Sequence, residues 1–208
     1  MNPFNSSRLM KSTLSHSMYM DSNDFHWRIN TILQNQEFYN ISFNSKIGVD
    51  ILMAIESDLK SLIISLSKKD ETPEEAYLTA RKCGHNLKKL YDNVELRAKN
   101  RLKLLTSNEK KQIIGKFDKL RVSNRYKIIS LLKIRNEDPW SKIFGFGEFS
   151  SILDIDNIEK TEKIALKLHQ IARISIERNS DPLSMNGKNL HKYHDRIFEF
   201  ESNLRGKL

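Results

Sequence analysis

Six histidines, one cysteine and a dense run of cations are the residues of this chain whose types and spacing suit chemistry. His191 and His194 stand three apart with Asp195 beside them, so on a helix they share a face and can bind one metal ion. No third ligand accompanies them and there is no His-Glu-x-x-His pattern. His194 also falls on the apolar side of its segment, which favours a buried, hydrogen-bonded imidazole. His169 and Arg173, four apart, share a face as well. Such a pair can cleave RNA, the imidazole handling protons and the guanidinium neutralising phosphate, although a place at the edge of a buried helix face is the plainer role. Cys83 is alone, so neither an internal disulfide nor a cysteine-built zinc site is open to the chain. No metal and no cofactor is expected. The Gly-Lys-Ser/Thr phosphate loop, the Gly-x-Ser-x-Gly elbow and the kinase set are all missing.

The cations are concentrated. Between Arg97 and Arg135 stand 13 Lys/Arg and two acids, Glu109 and Asp118, a local charge of +11 within a chain whose total is +9. The rest of the molecule is therefore slightly acidic, at −2. Ordinary surfaces intersperse both signs; a block of one sign is the footprint of a polyanion partner. Arg97, Lys99, Arg101, Lys103, Lys110, Lys111, Lys116, Lys119, Arg121, Arg125 and Lys127 are the candidate contacts to nucleic-acid phosphates. The alternative is an acidic protein partner. For that partner the aromatic stretch 136–154 offers Trp140, Phe144 and Phe146 as apolar anchors. Gly145 and Gly147 there look only superficially like a phosphate loop, since position 150 is Ser and no strand precedes them. Aromatics that plug the core are the plainer explanation of this stretch.

These residues need helices to hold them. Seven Gly and four Pro in 208 residues are too few for a turn-rich β fold. Residues 1–22, rich in Asn, Ser and Met, read as a flexible tail or a loosely docked arm. Asp24 caps a helix to about Gln36 with Phe25, Ile29, Ile32 and Leu33 inward, and 37–44 reads as irregular. Ser45 to Lys68 carries Ile47, Ile51, Leu52, Ile55, Leu59, Leu62, Ile63 and Leu66 over an arc of roughly 160°, the mark of a central helix with several neighbours. Thr72-Pro73 opens the next helix and Gly84 stops it. A helix resumes from His85 to Arg101, another starts at Thr106 or Ser107 without a true capping box, and a further one at Ser123 or Asn124. Asp156 to Arg178 is a second long helix, with Ile164, Ala165, Leu168, Ile171, Ala172 and Ile176 inward, and Asn189 to Leu204 is the last. The expectation is an all-α protein: a single helical bundle of six to eight helices over 23–208, after the tail. No signal peptide and no apolar run of about 18 residues is present, which points to no membrane partner and a reducing cytoplasm.

One stretch resembles a known family. Ala54-Ile-Glu56-Ser-Asp-Leu-Lys60, followed by Gly84-His85-Asn-Leu87-Lys-Lys-Leu90, is similar to the HEPN superfamily, whose members carry an Ala-x-Glu-x-x-x-Lys central helix and then a Gly-His-x-Leu-x-x-Leu segment. The matching residues are Ala54, Glu56, Lys60, Gly84, His85, Leu87 and Leu90. The resemblance implies a helical bundle that often dimerises, and a role in RNA metabolism or in microbial defence, toxin–antitoxin and phage-conflict systems. Its catalytic members resemble metal-independent ribonucleases that use an Arg, four to six intervening residues and a His. No Arg in this chain has a His at that distance. Arg81 and His85 have three residues between them, and Arg178-Asn179 begins like the motif but meets no His before His191. The combined expectation is a HEPN-like, non-catalytic binder of RNA or another nucleic acid. A displaced ribonuclease site of Arg178 with His191 or His194 is the residual catalytic reading.

Overall fold

The computed structural model describes residues 3–35, 41–99, 101–116 and 155–179. Every regular element among them is helical: α1 (Pro3–Gln34), α2 (Ile41–Ser65), α3 (Pro73–Lys82), α4 (Leu87–Ala98), α5 (Ser107–Lys111), a π-helical turn (Gln112–Lys116) and α6 (Ile155–Asn179). The fold is an all-α bundle. The expected helices from 123 or 124 and over 189–204, and the aromatic stretch 136–154, lie outside the described residues.

The bundle is organised on α2. All eight residues of its expected apolar arc, Ile47 to Leu66, are buried, and so are Val49, Ala54 and Ile64. A helix covered on so many sides must have neighbours all round, and α1, α3, α4 and α6 all pack against it. α6 contributes the six apolar residues expected of it, each buried.

The caps follow local chemistry. Thr72 accepts from the Glu75 amide while the Glu75 side chain accepts from the Thr72 amide, a reciprocal box that satisfies two otherwise orphaned donors, and Pro73 follows at the first helical position. α3 ends where Gly84 takes φ of +58°, a left-handed turn that costs glycine nothing. Asn86 then caps α4 through the Lys89 amide. At α5 the sequence reading needs correction. Thr106, not Ser107, is the cap, and Glu109 completes a true capping box with it.

A larger correction concerns residues 1–22. They are not a tail. From Pro3 onward they form the first part of the 32-residue helix α1, and Leu14 is buried in the common core. The buried face of α1 is largely hydroxyl-bearing: Ser12, Thr13, Ser15 and Ser22 are all covered. Ser15 Oγ donates to the Ser61 carbonyl at 3.0 Å, and Ser61 Oγ returns a bond to the Ser15 carbonyl at 2.8 Å. Each carbonyl thus accepts a second bond on its spare lone pair, and two small side chains let α1 and α2 approach closely. Lys11 fastens the same pair of elements from α1, its Nζ donating to the carbonyls of Lys68 at 2.8 Å and Glu71 at 2.6 Å. Likewise α2 starts at Ile41, inside the stretch read as irregular.

Leu14→Ala therefore tests whether this segment is core or tail. Truncating a fully buried leucine costs about 2–5 kcal/mol, so urea denaturation should show a lowered midpoint and an unfolding free energy reduced by that amount. A tail residue would leave the midpoint where it was.

Candidate functional site

The basic segment is described only as far as Lys116, and there it is partly neutralised. Arg97 makes a two-pronged ion pair with Glu71, both contacts 2.7 Å. Lys110 pairs with Glu95 at 2.7 Å and lies over the Tyr91 ring. Glu109, one of the segment's two acids, takes Lys167 from α6 at 2.6 Å. Acids earlier in the chain, Glu71 before α3 and Glu95 on α4, thus reach cations that looked unopposed in sequence. Lys99, Arg101, Lys103 and Lys111 are exposed and join no ion pair among the described residues. Lys116 ends the π-helical turn. Lys119, Arg121, Arg125 and Lys127, the anchors Trp140, Phe144 and Phe146, and the histidines His191 and His194 all lie outside the described residues.

A second group of cations, which the segment count did not single out, lines a cleft. The N-terminal part of α1, the end of α2 with the residues after it, and the end of α6 enclose about 520 Å³. Arg8, Lys11, Lys68, Lys69 and Arg178 line it together with five serines and Asn179, and no carboxylate does. Lys68, Lys69 and Arg178 are exposed, and none is held in an ion pair among the described residues. Burial pulls the Lys11 ammonium below its ordinary value, against the attraction of Glu71. The Glu71 side chain holds Arg97 while its backbone carbonyl takes Lys11, so the cleft and the start of the basic segment meet at one residue. Arg101 extends the line, its guanidinium donating to the Arg97 carbonyl at 2.8 Å.

The buried chemistry is elsewhere, between α1, α2 and α6. Asp58 on α2 is wholly buried. Its Oδ1 accepts from His169 Nδ1 on α6 at 2.9 Å, and its Oδ2 lies 3.8 Å from His26 Nε2 on α1. His26 Nδ1 faces Glu162 Oε1, also on α6, at 3.1 Å. Ser22 Oγ lies 3.3 Å from His169 Nδ1, and Tyr19 stacks flat on the His169 ring at 4.2 Å. Burial opposes a charged imidazole at His26, but the facing carboxylates of Asp58 and Glu162 outweigh it and raise its pKa to about 9. His26, Asp58 and His169 offer three donor atoms within 4.8 Å of one another, a set that can hold a metal ion. Nothing in the spacing of these three residues along the chain points to a metal. His169 was singled out with Arg173, but the two do not act together: His169 points to Asp58, whereas Arg173 is exposed and pairs with Glu177 at 2.8 Å.

The residues carrying the family resemblance also meet. Glu56, nearly buried, accepts from Lys60 Nζ at 2.6 Å and contacts His85 Nδ1 at 2.9 Å. Burial alone would raise its carboxyl, but Lys60 and His85 together hold it below the usual range. Leu87 and Leu90 are buried in the common core. Cys83, half-buried, donates its thiol to the Thr79 carbonyl, and burial pushes its pKa up, the reverse of a reactive nucleophile.

Comparison of the chain with protein-family models, with curated proteins and with solved structures finds no match.

Two outcomes follow from this geometry. Asp58→Ala leaves two buried histidines without their shared carboxylate, and breaking a buried pair costs about 3–5 kcal/mol, to be read from chemical denaturation. Glu71 gives a pH signature. The Arg97 hydrogen bond, against the opposing effect of burial, holds its carboxyl below the ordinary 4.5. A depressed folded pKa means stability that is complete above about 4.5 and lost as pH falls through the lower folded value. Glu71→Gln should be less stable than the parent at neutral pH, and the difference should shrink in thermal melts taken below pH 4.5. A gap independent of pH would show that the ion pair contributes nothing.

Proposed function

We propose that the protein binds RNA or another phosphate-bearing polymer, non-catalytically, across the cleft between α1, the end of α2 and the end of α6. The observation that carries this reading is the cleft's lining: five cations and five serine hydroxyls with no carboxylate. Phosphates ask for several cations on one surface and little else, and the hydroxyls of Ser7 and Ser67, unlike those of Ser15 and Ser65, which bond within the bundle, add hydrogen bonds that fix the backbone in place without reading sequence. The exposed Lys99, Arg101, Lys103 and Lys111 extend the positive surface from the Arg97 end. The +11 charge of 97–135 supports the same partner class, with Lys116, Lys119, Arg121, Arg125 and Lys127 as further phosphate contacts.

The HEPN resemblance supports it too. Its Glu56, Lys60 and His85 form one connected corner on the central helix, and such proteins act on RNA in defence and toxin-type systems. Arg178 and Asn179, which begin like the family's catalytic motif, line the cleft. With no His four to six residues beyond that Arg, the cleft holds RNA and leaves it intact.

Labelled total RNA, retained on the purified protein across a salt series with chelator present, tests this. Affinity should fall steeply with salt and the RNA should stay whole. Lys68→Glu with Lys69→Glu and Arg178→Glu should weaken retention at least tenfold. Three lost contacts should flatten the log–log salt slope by about 2, at roughly 0.7 for each single-strand phosphate. Retention by the triple variant equal to the parent's would refute the cleft, and no retention by the parent at low salt would favour an acidic protein partner instead. Chelator-resistant fragmentation would assign Arg178 a catalytic role with His191 or His194.

A further inference from the structure

We infer that His26, Asp58 and His169 form a binding site for one divalent transition-metal ion of the zinc class, with Glu162 orienting His26. This site is separate from the cleft and does not depend on what the cleft binds. Three observations carry it. The first is the donor set: two imidazole nitrogens and a carboxylate, each supplied by a different helix, within 4.8 Å of one another and all buried. Ions that prefer mixed nitrogen and oxygen donors are the borderline ones, zinc foremost, with cobalt(II) as its spectroscopic stand-in.

The second observation is what those atoms lack. His26 Nε2 and Asp58 Oδ2 face each other at 3.8 Å, too far for a hydrogen bond, and neither has a hydrogen-bond partner among the described residues. Their side chains are 7 % and 0 % exposed. Glu162 Oε2, whose side chain is 8 % exposed, is in the same condition. Buried polar atoms without partners are rare and each calls for a physical reason. Here two of them face each other, with the Asp58 Oδ1 and His169 Nδ1 pair on the same carboxylate. A cation between them satisfies both at once.

The third is the arrangement around the donors. Metal-binding imidazoles hand their other nitrogen to a carboxylate that fixes the ring and raises its basicity. Glu162 Oε1 lies 3.1 Å from His26 Nδ1 and does this for His26. Tyr19, stacked at 4.2 Å and 7°, holds the plane of His169. Adjacent donors around a tetrahedral ion with bonds near 2.0–2.1 Å are roughly 3.3 Å apart, so the present separations close on an ion with side-chain shifts of under about an ångström.

The full-length chain, stripped with chelator and dialysed, is titrated with zinc by calorimetry and with cobalt(II) by visible absorption. One equivalent should bind, raise the melting temperature and give cobalt bands of a nitrogen- and oxygen-ligated ion. Asp58→Asn and His169→Gln should each weaken binding at least tenfold. Glu162→Gln should weaken it ten- to a hundredfold, the range for lost support of a ligand. Because that variant keeps every proposed ligand, it reads the site even where the others fail to fold. No binding by the parent chain overturns the site, as does unaltered binding in folded Asp58→Asn or His169→Gln, which would put the ion on other histidines. Equal affinity in Glu162→Gln would overturn the role given to Glu162.

Discussion

An ionisable carboxylate in the middle of the most buried helix is the constraint that the other helices answer. Asp58 lies among Ile55, Leu59 and Leu62, and all of it is covered. Leaving such a group without partners costs several kcal/mol, so α1 must bring His26 and α6 must bring His169 to the same level of α2. That requirement fixes how far each helix slides and which way it turns. The serine contact at Ser15 and Ser61 makes the approach of α1 close enough. Lys11, reaching past the end of α2, stops α1 from sliding. Polar bonds thus set the register of a bundle whose bulk cohesion is apolar.

The same economy of polar partners shapes the surface. Glu71 is used twice: its side chain takes Arg97 and its carbonyl takes Lys11. With that acid engaged, the cleft is left with cations and hydroxyls. On the opposite side of α4, Asp92 and Glu95 meet Lys88 and Lys110. Net charge by segment therefore overstates the free charge of 97–111, and understates the cleft, whose cations come from three distant parts of the chain.

Much of the helical framework was legible in the sequence because local chemistry writes it. The apolar arc of α2, Thr72-Pro73, Gly84 and the inward residues of α6 each follow from spacing or a single residue's conformational preference. The first part of α1 escaped because its buried face there is built largely of Ser and Thr, and hydrophobic periodicity is blind to a face that packs through hydroxyls. The buried cluster escaped because its members are far apart: His26 and Glu162 are 136 residues apart, and Asp58 and His169 are 111 apart. Two signals were present. Asp58 interrupts an apolar arc, and Glu162 and His169 fall on one face of α6, two turns apart. Neither names its partner on another helix, which only packing decides. The corner of Glu56, Lys60 and His85 was readable in part, since Glu56 and Lys60 are four apart and His85 follows a turn whose glycine was plain.

The 111-residue gap between Asp58 and His169 also orders events during synthesis. A ribosome adding about 5–20 residues per second leaves roughly 5–20 s between the two. Throughout that interval α1 and α2 can pair through their serines while Asp58 stays hydrated, with only His26 beside it. The nascent hairpin thus keeps a wet, charged seam along what becomes the interior, which discourages premature collapse onto wrong partners. Only the late arrival of α6 dries it.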